Sequence, residues 1–174
     1  MLALTASVAC LASFGWGMAK HFRRVGRLSA PLIVVALWAP VSAGLQIYAL
    51  VRLPLRWPIP ATGLYLLSAA FFWWAVSVTR GKLATCGSGA VSDQIVMQGP
   101  YRWIRHPFYT AYSLTWLAGF AATGWWPLAA SAGIMICLYD LSARAEERSI
   151  LAGPLATFYL RYSQSAGRYG PRLF

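Results

Sequence analysis

Long apolar stretches alternate with short basic segments along this chain. The first runs from Leu2 to about Ala19 and ends at Lys20-His21-Phe22-Arg23-Arg24-Val25-Gly26-Arg27. The second runs from Ala30 to Val51, interrupted by Pro40, and the third from Ala61 to Thr79. A bilayer-spanning helix needs about 20 such residues, so each stretch predicts one crossing. A fourth, Phe108 to Tyr139, is too long for a single span, and Gly124-Trp125-Trp126-Pro127 divides it into a tight helical hairpin. The first arm, about 15 apolar residues, is short for a crossing; helix extension, low tilt or local bilayer thinning would accommodate it. The pattern therefore predicts an all-α integral membrane protein of five transmembrane helices with a helical hairpin near the C-terminus.

Charge orients this arrangement. Of 15 Lys and Arg, thirteen fall in the 20–29 loop, the 80–107 loop and the tail after Ala143; only Arg52 and Arg56 lie on the other side. The positive-inside rule then puts those three segments in the cytoplasm and the N-terminus outside. The positive residues follow the first apolar run, whereas a signal peptide carries them before it, so the first helix is expected to be retained. Trp57, Trp73, Trp74, Trp125 and Trp126 fall near span ends, as lipid-interface aromatics do. The chain is 59% hydrophobic and 11% charged, against about 25% charged in soluble domains. The net charge of +11 comes from clusters that flank apolar runs, which argues against nucleic acid as partner. Cys10, Cys86 and Cys137 have neither metal-site nor disulfide spacing, and no metal is expected. The chain reads as a single membrane domain over 1–174, with three spans in 1–79 and its polar chemistry in 80–174.

Three elements carry that chemistry. Gly99-Pro100-Tyr101-Arg102-Trp103-Ile104-Arg105-His106-Pro107-Phe108-Tyr109 leads into the fourth span. Pro107 suits a first helical turn and pushes His106 toward an extended conformation, which holds Arg105 and His106 at the membrane surface beside a helix N-terminus suited to an anion. Arg144-Ala145-Glu146-Glu147-Arg148 follows the fifth span and contains two of only four acids in the chain; a helix extension with local pairing to Arg144 and Arg148 is the plain reading. After the break at Gly153-Pro154, Leu155, Phe158, Tyr159 and Tyr162 fall at i, i+3, i+4 and i+7, the pattern of an amphipathic helix on the membrane or folded over the loop. Together these elements offer cations, two carboxylates, a histidine and aromatics on one membrane face, a set suited to a small zwitterion with an aromatic part.

In order and spacing, Gly99-Pro100-Tyr101, Arg105-His106-Pro107 and Tyr109 resemble the GPYxxxRHPxY signature of the isoprenylcysteine carboxyl methyltransferase and phospholipid methyltransferase superfamily. Glu146-Glu147, Leu151, Leu155, Tyr159, Tyr162 and Arg168-Tyr169-Gly170-Pro171 resemble its EExxL, YxxY and RFxP elements. The likeness covers roughly residues 80–172; the first half matches only as membrane helices. It implies an S-adenosylmethionine-dependent methyltransferase acting on a lipophilic acceptor that arrives from the bilayer, with a cytoplasmic cofactor-binding cap formed by loop and tail. By position it assigns Gly99, Pro100, Tyr101, Arg105, His106, Pro107, Tyr109, Glu146, Glu147, Tyr159 and Tyr162 to cofactor binding. Arg168 would steer the acceptor and Glu147 would share the catalytic role; which of Glu146 and Glu147 meets the cofactor stays open. The acceptor is expected to be a prenylcysteine carboxylate, with a phospholipid amine as the alternative. Two rivals are an NADPH-dependent sterol-type reductase and a non-enzymatic membrane scaffold on anionic lipid.

Overall fold

The computed structural model describes residues 1–21, 29–79 and 95–172. Most of the 20–29 loop, and the part of the 80–107 loop that holds Cys86, lie outside them. The described chain forms α1 (Leu2–His21), α2 (Ala30–Arg52), α3 (Pro58–Thr79), a 3-10 turn at Gly99–Arg102, α4 (Pro107–Thr123), α5 (Trp126–Leu151) and α6 (Ala156–Ser165). Among the described residues the only extended pairing is an isolated parallel bridge between Ile104 and Gly167.

Four helices, α1, α2, α3 and α5, are long and apolar enough to cross a membrane. Their outward residues stay apolar: Leu37 is 71% exposed and Ile59 81%, tolerable in lipid and anomalous as a contiguous surface in water. Pro40 was expected to interrupt α2, but the helix runs unbroken through it. Membrane-spanning helices tolerate an internal proline in this way. α4 has 17 residues, roughly 25 Å at 1.5 Å per residue, short of the membrane core. It is also the most enclosed helix. Ten of its residues are buried, and it packs on α1, α2, α3 and α5, so its side chains meet protein where the others meet lipid.

Without a hydrophobic drive between helices in lipid, small residues and polar contacts hold such a bundle together. Ser68 of α3 donates to the Ala111 carbonyl of α4 at 2.5 Å and lies 2.7 Å from Thr115, which also meets the buried Cys10 thiol of α1 at 3.3 Å. Ser42 of α2 meets Ser131 of α5 at 2.7 Å, and Gln46 Nε2 donates to Ser7 Oγ at 2.9 Å. Gly119 lets α4 sit against the Gln46 side chain. The predicted hairpin break is real: Gly124 takes the left-handed conformation (φ 68°) that ends α4, and the α2–α3 connection is pinned there by Arg56 N–H donating to the Ala122 carbonyl at 2.8 Å.

A methyl group at position 119 would stand 2.7 Å from Gln46 Cδ and 2.9 Å from Cγ, so Gln46 must swing off Ser7. Gly119→Ala is expected to cost about 1–3 kcal/mol as an overpacked site, lowering the midpoint of thermal unfolding in detergent by several degrees. Adding Gln46→Ala should recover most of that loss. A Gly119→Ala protein as stable as wild type would exclude this packing.

Candidate functional site

The polar face is assembled by one backbone contact between distant segments. After α6, residues 166–169 lie along residues 103–106. Gly167 N–H donates to the Trp103 carbonyl at 2.9 Å, Arg105 N–H to the Gly167 carbonyl at 2.8 Å, and His106 N–H to the Arg168 carbonyl at 3.1 Å. Thr110 Oγ1 donates to the Tyr169 carbonyl at 3.0 Å, and the buried Tyr162 hydroxyl donates to the Tyr101 carbonyl at 2.6 Å. Every polar backbone group so paired escapes the cost of burial without a partner. The tail is thereby strapped across the start of α4.

The strap brings three side chains from two parts of the chain onto Glu147, which is 7% exposed near the end of α5. Arg105 Nη1 lies 3.1 Å from Glu147 Oε1 and His106 Nε2 3.0 Å from the same oxygen. A carboxylate only accepts, so the histidine contact puts a proton on Nε2. Arg168 donates from Nε to Oε1 at 3.2 Å and from Nη2 to Oε2 at 2.8 Å, a two-point grip that suits the guanidinium fork. Glu146 faces the other side of the imidazole, with Oε2 3.6 Å from His106 Nδ1, and accepts from the Tyr109 hydroxyl at 2.5 Å. Asp140, two turns before Glu147, accepts from the Tyr169 hydroxyl at 3.0 Å, from Arg144 Nε at 2.6 Å and from Arg168 Nη1 at 3.4 Å. Three of the four acids of the chain are thus in one network; the fourth, Asp93, is outside the described residues.

Each local conformation follows from the sequence. His106 is the N-cap of α4 with φ −124° and ψ 64°. Pro107 keeps it out of the helical region as expected, though ψ stops short of the extended range, because His106 N–H and the ring are both held by partners. The anions beside the start of α4 are the chain's own Glu146 and Glu147. α5 continues to Leu151 before the Gly153-Pro154 break, which carries both glutamates on helix. The expected pairing of these acids with Arg144 and Arg148 is not what forms: Arg144 turns to Asp140, one helical turn back. Glu147 instead faces inward to Arg105, His106 and Arg168.

The predicted site residues fall into two groups. Arg105, His106, Tyr109, Glu146, Glu147 and Arg168 converge, with Pro107 buried beneath them. Gly99, Pro100 and Tyr101 form the 3-10 turn and pack on the end of α3 beside Val78 and Trp74; Gly99 needs its glycine there, since it has φ 57°. Tyr159 and Tyr162 are the buried face of α6, packed on Ile95 and Ile150. Of the expected apolar stripe, Tyr159 and Tyr162 are buried and Phe158 is 47% exposed, while Ala166 joins the buried cluster. The Tyr162 hydroxyl anchors the buried side of the helix on the Tyr101 carbonyl. Burial pushes the Tyr162 phenol up to about 12, and burial also raises Tyr159 and Tyr169, so all three remain protonated donors at neutral pH. The hydrogen bond with Glu147 is the main reason that Arg168 is held above its ordinary value.

Two observations bear on ligand binding. The Tyr159 hydroxyl and Arg105 Nε are buried without a hydrogen-bond partner among the described residues, which is costly unless something else meets them. A stack of rings runs from the charged network into the bundle: His106 on Tyr109 (5.6 Å), then Tyr109 on Tyr139 (5.2 Å). Among the described residues no group of His, Cys, Asp and Glu is arranged to hold a metal. Asp140 is the member of the network that motif reading did not single out; the spacing Asp140 to Glu147, i to i+7 on one helix, is the signal that would have found it.

No family model matches the chain, and no curated protein matches it either.

Gly167 cannot take a side chain without moving the strap, because an added methyl would run into the Gly170 carbonyl, with Arg172 N 3.4 Å away. Gly167→Ala should speed hydrogen exchange at the amides of Arg105, His106 and position 167 together, while amides in the middle of α3 keep their wild-type rates. Unchanged exchange at 105 and 106 would mean that the tail does not depend on this close approach.

Proposed function

We propose that this protein is an S-adenosylmethionine-dependent methyltransferase for a lipophilic acceptor in the membrane, of the prenylcysteine carboxyl O-methylating type. In this reading α4 is a fifth crossing, shortened because it is enclosed by other helices, and the network lies on the cytoplasmic face under a cap of loop, α6 and tail. The positive-inside distribution supports that sidedness. One observation carries the functional reading. The residues that resemble the superfamily's three motifs, Arg105-His106 with Tyr109, Glu146-Glu147, and Arg168-Tyr169, meet in one hydrogen-bonded cluster although 41 residues separate His106 from Glu147.

The donor set fits the cofactor. Its ammonium calls for a carboxylate, which Glu146 and Glu147 offer; its carboxylate calls for a guanidinium, and Arg105 has a buried nitrogen to spare. Its adenine calls for an aromatic or apolar slot, and the stacked His106, Tyr109 and Tyr139 rings put aromatic groups beside the charged network. Glu147 is our candidate for the ammonium, since two guanidiniums and the His106 ring already surround it and a ligand could take the place of one of them. When bound, the cofactor would supply an electrophilic methyl group, and transfer is an in-line displacement that needs alignment and exclusion of water more than acid–base help.

The choice of acceptor type rests on the same geometry. A carboxylate acceptor is ionised at neutral pH and wants only a cation to keep it so when desolvated. Arg168 is the most accessible cation on Glu147, with 30% of its side chain exposed against 11% for Arg105 and 8% for His106. An amine acceptor would need a base. Both Glu147 oxygens already accept from guanidinium donors, and Glu146 accepts from Tyr109.

Calorimetry with S-adenosylmethionine on purified protein tests the reading. Saturable binding is expected for wild type, weakened by about tenfold or more in His106→Ala and in Glu147→Gln, each of which removes a charge-assisted contact. Absence of binding by well-folded wild type overturns the proposal; NADPH binding in its place would mark a reductase, and binding of neither a scaffold.

A further inference from the structure

Arg168 stands between two carboxylates. Asp140 and Glu147 lie two turns apart on α5, and the guanidinium spans them, with Nη2 2.8 Å from Glu147 Oε2 and Nη1 3.4 Å from Asp140 Oδ1. Glu147 has three partners, two guanidiniums and the His106 ring, more than one carboxylate requires, and Arg168 is the most exposed of them. It is therefore the partner that a competing ammonium group displaces most cheaply. Asp140 is built to receive it. Arg144 fixes Oδ2 at 2.6 Å, and the Tyr169 hydroxyl donates to Oδ1 at 3.0 Å, so the carboxylate is oriented and the residue next to Arg168 is tied to it independently of Glu147. Tyr169 is itself packed against the buried cluster of α4 and α5 that includes Tyr109 and Tyr139.

We propose that Asp140 is a positioning residue that retains Arg168 at the site when a ligand ammonium takes Glu147. This rests on the cofactor reading above. Arg168 would exchange one carboxylate for the other with no net change of charge, and would then face the acceptor with its remaining donors. A purely structural Asp140 would tie Arg144, Tyr169 and Arg168 to α5 to the same extent with or without ligand, and its loss would be felt equally in both states.

The experiment is hydrogen exchange at the Gly167 and His106 amides, which report the strap, with and without saturating S-adenosylmethionine, alongside calorimetry of its binding. In Asp140→Asn the strap should exchange as in wild type without ligand, because the two-point contact of Arg168 with Glu147 remains. With ligand, exchange should rise by about tenfold over ligand-bound wild type, the loss of one charge-assisted contact. Tyr169→Phe, which removes a single hydroxyl, should shift it in the same direction by less, and carries the test if Asp140→Asn does not fold. Faster exchange that is equal with and without ligand overturns the proposal, as does wild-type exchange in both variants while S-adenosylmethionine binds. Failure of wild type to bind S-adenosylmethionine overturns the functional reading and this proposal with it.

Discussion

Glu147 is an acid 7% exposed at the rim of an apolar bundle, and such a group is tolerated only if its charge is met. Arg105 and His106 come from the segment before α4, Arg168 from the tail after α6, and both segments are drawn to α5 by this one carboxylate. Removing one partner of a buried pair typically costs about 3–5 kcal/mol, since the other charge is left behind. That asymmetry makes the network a fastener as well as a candidate binding site. The backbone strap between 103–106 and 166–169 sets the same segments in register, so the side-chain charges do not have to find each other by chance.

The bundle supplies the second constraint, which is the closeness of α4 to its neighbours. Ser68, Ala111 and Thr115 are small enough for α3 to approach α4 until the Ser68 hydroxyl donates to the Ala111 carbonyl at 2.5 Å, and Gly119 admits the Gln46 side chain of α2. This fixes where α4 begins. The start of α4 carries His106 and Tyr109, and the far end of α5 carries Glu146 and Glu147; the tight turn at Gly124 makes the two helices antiparallel, so those ends fall side by side. Helix packing in the apolar layer thereby decides the geometry of a polar layer at one end of it. The stacked rings of His106, Tyr109 and Tyr139 are the physical join between the two layers.

Much of this was legible in the amino-acid sequence, and for definite reasons. Apolar run lengths located α1, α2, α3 and α5 to within a few residues, and Gly124-Trp125-Trp126-Pro127 located the hairpin, because length and turn chemistry act locally. The motif residues Arg105, His106, Tyr109, Glu147 and Arg168 were legible as a set, though not their mutual contacts. What local patterns could not carry was pairing at long range. The strap between Ile104 and Gly167 has no apolar period to announce it, and α6 is anchored by a hydroxyl that reaches a carbonyl 61 residues away. Asp140 belongs to none of the motifs; its place in the network emerges only when Tyr169 is seen folded back onto it.

The arrangement also bears on why acids are so scarce in this chain. Four Asp and Glu stand against 15 Lys and Arg, and three of the four sit in the network. A membrane face rich in cations attracts anionic headgroups, so a carboxylate placed there gains little from lipid and must be held by protein. Here each is: Asp140 by Arg144 and Tyr169, Glu146 by Tyr109, Glu147 by two arginines and a histidine. Such a cluster, with its charges already oriented, can exchange partners with a ligand that carries both signs without exposing an unpaired charge at any stage. A ligand of one sign would have to leave a guanidinium or a carboxylate uncompensated, which is the physical reason to look for a zwitterion at this site before any simple cation or anion.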